Sequence, residues 1–135
     1  YDSLSGSLVW KKNISTNIKG ILTKDNIFLF TKNNLLICLD SNNGKVIWSK
    51  NIFNQIKTLD KKKFYNKIKK ISDLVMANNK IFLFSKKGYL LSFDYKNGKI
   101  ISIDKILKSG LRGKPIFVDG QMYLFDNNYR LFQYE

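Results

Sequence analysis

The chain carries 135 residues, 44% hydrophobic and 14% aromatic, which suits one folded domain with its own core and excludes a disordered segment. Its 24 Lys and Arg outnumber 10 Asp and Glu for a formal charge of +14, a balance that ordinarily points to phosphate-bearing partners. Only Arg112 and Arg130 are arginine, however, so the forked donor that reads phosphates and bases is almost missing, and no nucleic-acid partner is expected.

Residues 1–10, YDSLSGSLVW, lack the basic-then-apolar order of a secretion signal and begin in mid-pattern, with three residues between Asp2 and Gly6 and again between Gly6 and Trp10. Such a start is expected of a processed chain or a piece of a longer one. Residues 20–26 (GILTKDN) give a short apolar piece running into a turn, and 27–40 (IFLFTKNNLLICLD) give two apolar runs around Asn33-Asn34. Asn and Gly tolerate the positive φ of two-residue hairpin turns, so 27–40 predicts a β-hairpin. Cys38, in its second run, reads as a buried spectator thiol, and as the single cysteine it allows no intrachain disulfide. DSNNGKVIW (40–48) follows: Asp40 caps a turn, Gly44 takes the left-handed position, and a further strand ends at Trp48.

The connection at 49–73, SKNIFNQIKTLDKKKFYNKIKKISD, is about 15 residues longer than its counterpart after Trp10 and holds seven lysines against one aspartate between residues 51 and 71. Its Ile52, Phe53, Ile56, Leu59, Phe64, Ile68 and Ile71 fall mostly at steps of three and four, which predicts a short amphipathic helix or a docked loop over part of it. The pattern then resumes with LVMANN (74–79), the hairpin IFLFSKKGYLLSFD (81–94) around Lys87-Gly88, and DYKNGKIIS (94–102) with Asp94 and Gly98 at the same spacing and Ser102 where tryptophan is due. PIFVDG (115–120) and MYLFDNNYRLFQYE (122–135), around Asn127-Asn128, close the chain. No run of about 18 apolar residues occurs, so no membrane-spanning helix is predicted.

The unit is therefore four antiparallel strands in up-and-down order, recurring after 38 residues (Asp2 to Asp40), 54 (Asp40 to Asp94) and 41 (Asp94 to Glu135). A period near 40 with four strands per unit is the pattern of propeller blades, and a plain sandwich has no reason to repeat acid, glycine and tryptophan at one spacing. The expectation is an all-β fold: a single partial propeller domain over 1–135. Residues 1–14 would supply the fourth strand of a preceding or closing blade. Blades follow at 18–50 and 71–104, a three-stranded blade at 113–135, and the lysine-rich insertion at 51–70. Three blades are too few to close a ring, so the chain is expected either to be part of a longer propeller or to associate as two copies completing one.

PIFVDGQMYLF (115–125) and LDSNNGKVIW (39–48) resemble the two halves of the pyrroloquinoline-quinone-like repeat, of the form Pro-x-Val-x-x-Gly-x-Val-Tyr, hairpin, Leu-Asp-x-x-Thr-Gly-x-x-x-Trp. The resemblance implies that Trp10 and Trp48 dock between neighbouring blades. Ser5, Asn43 and Asn97 stand at the family's threonine position, and Ser102 breaks its tryptophan pattern. That family includes quinone-dependent dehydrogenases and non-enzymatic periplasmic proteins, notably the BamB-like lipoproteins that assist assembly of outer-membrane β-barrels.

A dehydrogenase of this kind would need a calcium site, a general-base carboxylate and commonly adjacent cysteines. The chain offers one cysteine and no histidine, and Asp2, Asp40, Asp94 and Glu135 already occupy the repeated turn. Asp25, Asp73, Asp119 and Asp126 fall at turns or strand ends, where capping explains them, and Asp60 and Asp104 have no partner at readable spacing. No catalytic, cofactor-binding or metal-binding residue is therefore expected. The expected role is protein binding in outer-membrane assembly, in the periplasm and anchored to the outer membrane in a full-length protein. Lys61, Lys62, Lys63, Phe64 and Tyr65 are the candidate anchors, and the lysine-rich face is a candidate for peripheral contact with anionic membrane. The alternatives are a piece of a quinone-dependent dehydrogenase and a binder of anionic surfaces.

Overall fold

The computed structural model describes residues 6–58, 66, 68 and 70–135. The chain folds into three antiparallel sheets, each built from consecutive strands. The first holds β1 (Ile21–Leu22), β2 (Asn26–Phe30), β3 (Leu35–Asp40) and β4 (Val46–Asn51); helix α1 (Ile52–Thr58) follows it directly. The second holds β5 (Ile71–Ala77), β6 (Lys80–Ser85), β7 (Tyr89–Asp94) and β8 (Ile100–Lys105). The third holds β9 (Leu111–Val118), β10 (Gln121–Asp126) and β11 (Leu131–Tyr134), ordered β11-β10-β9. First strands meet first strands, β1 against β5 and β5 against β9, as blades do when their inner strands converge on an axis.

Alternation along the strands divides the apolar residues between two faces, and the second sheet buries both. Ile81, Leu83, Leu91 and Phe93 join Phe28, Leu36 and Cys38 of the first sheet in one core. Phe82, Phe84 and Leu90 turn the other way and pack with Leu124, Met122 and Phe132 of the third sheet. Burial on both faces is why β6 and β7 read as unbroken apolar runs. The outer face of the third sheet has no such cover: Ile116, Phe125 and Leu131, counterparts of the packed Val75, Phe84 and Leu90, are exposed.

Three expectations need correction. Residues 6–15 form no strand; beside them, Thr16 makes an isolated bridge with Thr31. A strand needs a continuous ladder of backbone partners, and among the described residues this segment's backbone meets the first sheet only at its end, where Lys32 N donates to the Ser15 carbonyl. The opening strand of the first sheet is also shorter than GILTKDN suggested, with only Ile21 and Leu22 paired.

The hairpin loops, secondly, hold three residues rather than two. Asn34, Gly88 and Tyr129 donate back to Thr31, Ser85 and Asp126, and each sits at positive φ (64°, 87° and 62°). That is a type I turn followed by a left-handed residue. In the third loop the left-handed position belongs to Tyr129 and not to Asn127-Asn128. Its ring lies under the Arg112 guanidinium, 4.4 Å from the centroid.

The insertion opens with the short amphipathic helix expected of it, at Ile52–Thr58. Ile52, Phe53, Ile56 and Ile68 are buried in the core shared by the first two sheets, whereas Leu59 and Phe64 lie outside the described residues. Asn51 caps α1, its Oδ1 accepting from the amides of Phe53 and Asn54. Lastly, the third blade begins earlier than residue 113, because Leu111 and Arg112 already pair with Asp126 and Phe125.

Candidate functional site: the blade joints and the surfaces beside them

The repeated element forms a joint. In both fully described copies the acid accepts from the amide two residues on, Asn42 to Asp40 at 2.7 Å and Lys96 to Asp94 at 2.9 Å. Asn43 and Asn97 repeat the device, accepting from Lys45 and Lys99 at 2.8 and 2.9 Å, so asparagine does by Asx geometry what the repeat's threonine position requires. Gly44 and Gly98, at φ +72° and +71°, close the turn onto the Asp40 and Asp94 carbonyls.

A tryptophan from the preceding unit then lands on each turn. Trp10 Nε1 donates to the Ser41 carbonyl and Trp48 Nε1 to the Tyr95 carbonyl, both at 3.1 Å. Each ring lies so close to its glycine that a Cβ at Gly44 would stand 2.6 Å from Trp10, and one at Gly98 2.5 Å from Trp48. Glycine is thus needed twice over, for its φ and for the approach of the ring. A bulge aims the side chain: the register shifts so that Cys38 faces Trp48, and the extra residue, Ile47, is thrown outward. The second sheet has the same bulge at Ile101, which sets Ser102 opposite Ser92, and their hydroxyls meet at 2.6 Å.

The described members of the predicted repeat set, Gly6, Trp10, Asp40, Gly44, Trp48, Asp94 and Gly98, have these places; Gly6 has φ +70° with open space around it. Asp2 lies outside the described residues, as do Lys61, Lys62, Lys63, Phe64 and Tyr65. Two participants were missed by sequence reasoning. Gln55 of α1 donates to the Gly98 carbonyl and accepts from the Ile100 amide, both at 3.0 Å, so the helix clasps the second joint. Lys12 Nζ reaches the Gly44 carbonyl at 3.0 Å and does part of the same work at the first.

Asp126, expected to cap a turn, does so. It is fully buried at the base of the third loop, where Thr31 and Ser85 stand in the first two and accept from the Leu35 and Tyr89 amides. Its carboxylate accepts from the Asn128 and Arg130 amides and forms an ion pair with the Arg130 guanidinium at 2.7 Å. Burial pushes its pKa up, but the Arg130 amide and guanidinium outweigh this, with smaller help from the nearby Ser109 hydroxyl and the Asn128 amide, and hold it down to about 2. Ser109 Oγ contributes without making a hydrogen bond of normal geometry. Cys38 is buried, and burial, assisted by the Asp40 charge, pushes its thiol up to about 11. Among the described residues no three His, Cys, Asp or Glu side chains come together as metal ligands would, and no helix is long and apolar enough to cross a membrane.

The profile of the family described as "Outer membrane protein assembly factor BamB" matches residues 1–101, which takes in both tryptophan joints. The chain belongs to the BamB family. Its fold is that of a partial propeller of this family, similar to the crystal structure of BamB from Moraxella catarrhalis (TM-score 0.60, 15% identity), which covers 93% of this chain and 36% of that one. The computationally designed Ika4 protein superposes with a TM-score of 0.55 at 10% identity over 85% of this chain and 62% of that one. Quinohemoprotein alcohol dehydrogenase from Comamonas testosteroni does so with 0.54 at 12% identity, over 95% and 22%. At such identities the likeness is one of fold. No curated protein sequence matches the chain significantly. This BamB-family chain thus spans about a third of the Moraxella protein's length.

Proposed function

We propose that this chain is a non-catalytic, protein-binding scaffold that serves outer-membrane protein assembly from the periplasm, attached to the outer membrane as part of its full-length protein. The match to the BamB family over residues 1–101 carries the reading. The chemistry of the joints supports it, because Asp40 and Asp94 are committed to backbone amides and Asp126 to its loop and Arg130. The lysine-rich insertion is the partner-binding element on this reading, with Lys61, Lys62, Lys63, Phe64 and Tyr65 as contacts. The open apolar face of the third sheet favours association of two copies there, a dimer that sedimentation detects and a monomer at all concentrations contradicts.

Site-specific photo-crosslinking from positions 61–65 of the full-length protein in intact cells tests the function. Adducts with components of the outer-membrane assembly machinery are expected. Oxidation of an alcohol by the purified protein supplied with quinone and calcium would replace this reading with the dehydrogenase one. Adducts with lipid alone would favour the anionic-surface binder.

A further inference from the structure

Three cavities of about 420, 290 and 430 Å³ run side by side where the first strands of the sheets approach one another. They are one groove, since the first and second share Asn17 and Ile18, the second and third share Ser72 and Asp73, and the first and third share Lys86. Its walls carry Lys19, Lys32, Lys70, Lys86, Arg112 and Lys114, all exposed, against the single carboxylate of Asp73. Among the described residues none of these six cations forms an ion pair; the one salt bridge found there is Arg130 with Asp126. Like charges gathered in a concave, partly apolar cleft repel one another and focus a positive potential that a matching anion relieves.

We propose that this groove binds an acidic, extended segment of a protein partner. Ile18, Leu74, Val75 and Pro115 on the groove walls give apolar purchase to peptide side chains. No exposed aromatic lines the three cavities, whereas single-stranded nucleic acid is held by stacking on such residues. A flat lipid surface meets protruding cations rather than recessed ones. Lysine's point charge suits scattered carboxylates without demanding the planar geometry that arginine supplies to phosphate.

Fluorescence anisotropy with a labelled Glu/Asp-rich peptide tests the assignment on the isolated chain, independently of residues 61–65 and of any assembly role. The triple variant Lys32→Gln, Lys86→Gln, Lys114→Gln is compared with Lys45→Gln, Lys96→Gln, Lys99→Gln, which removes equal charge from exposed positions outside the groove. The groove variant is expected to weaken peptide binding by about tenfold or more, while the control changes it by less than about twofold. Equal losses in the two variants, or no binding by the parent chain, overturn the proposal. So does tighter binding of an oligothymidylate of equal length or of phosphatidylglycerol vesicles, with the same dependence on the groove lysines.

Discussion

Trp48 Nε1 donates to the carbonyl of Tyr95, 3.1 Å away and 47 residues along the chain, and thereby fixes the first sheet to the turn of the second. The Trp48 ring also lies 6.2 Å from Phe28, so the bond closes over a packed aromatic pair. Trp48→Phe keeps most of the packing and loses the donor, with an expected cost of about 1 kcal/mol. Trp48→Ala opens the joint and is expected to cost about 3 kcal/mol. Denaturant unfolding of the two variants measures both, and equal losses would mean that the hydrogen bond, not the ring, makes the joint.

Gly98 and Gly113 separate backbone strain from crowding. Both have positive φ, but an added Cβ meets nothing within 4 Å at Gly113 and stands 2.5 Å from the Trp48 ring at Gly98. Gly113→Ala is expected to lose about 1–2 kcal/mol, the backbone cost alone. Gly98→Ala loses clearly more, and its Trp48 fluorescence changes as the ring is displaced.

Ser102 marks the joint built without a tryptophan. A cavity of about 230 Å³ opens beside Phe82, the cross-strand neighbour of Ser92 and the counterpart of Phe28. Ser102→Trp alone strands the Ser92 hydroxyl, at a cost of about 1–3 kcal/mol. Adding Ser92→Cys recreates the pairing of Cys38 with Trp48. A double-mutant cycle is expected to show favourable coupling of about 1 kcal/mol between the two changes, and simple additivity would contradict it.

Asp126 sets the acid sensitivity of the third loop. Its pKa lies below the ordinary carboxylate value, so its stabilisation is complete above about pH 4 and is lost as pH falls through about 2. Melting temperature is expected to drop across that window. In Asp126→Asn the drop is shallower and the melting temperature at pH 7 is lower; an unchanged acid limb would contradict the assignment.

The Cys38 thiol, buried and pushed up to about 11, is expected to resist an aromatic disulfide reagent at pH 8 until denaturant is added, and then to react once. Full reaction in the native protein would show that the core of the first sheet opens readily.

Much of this architecture was legible because equivalent blades meet equivalent neighbours. Asp40, Gly44 and Trp48 recur because a turn, a close approach and a docking ring recur. The hairpin loops were misread for a local reason: Asn127-Asn128 looks like a turn pair, yet gap-free alignment places Tyr129 in the column of Asn34 and Gly88, and the left-handed residue follows that column. Spacing in the insertion suggested a helix, but burial of Ile52, Ile56 and Ile68 depends on where two sheets leave room, which spacing does not encode. Gln55 carried no signal, since its partners, Gly98 and Ile100, lie in another repeat. The groove cations are scattered from Lys19 to Lys114 and become one surface only when the inner strands meet.

The central claim is recognition through the insertion, and its most direct test replaces residues 59–65 by a Gly-Ser segment of equal length in the full-length protein. This spares Ile56 and Ile68, which are buried in the core. Co-purification of assembly partners is then measured at matched melting temperature. The account predicts a folded protein that no longer retains its partners. Full retention by a folded variant would contradict it.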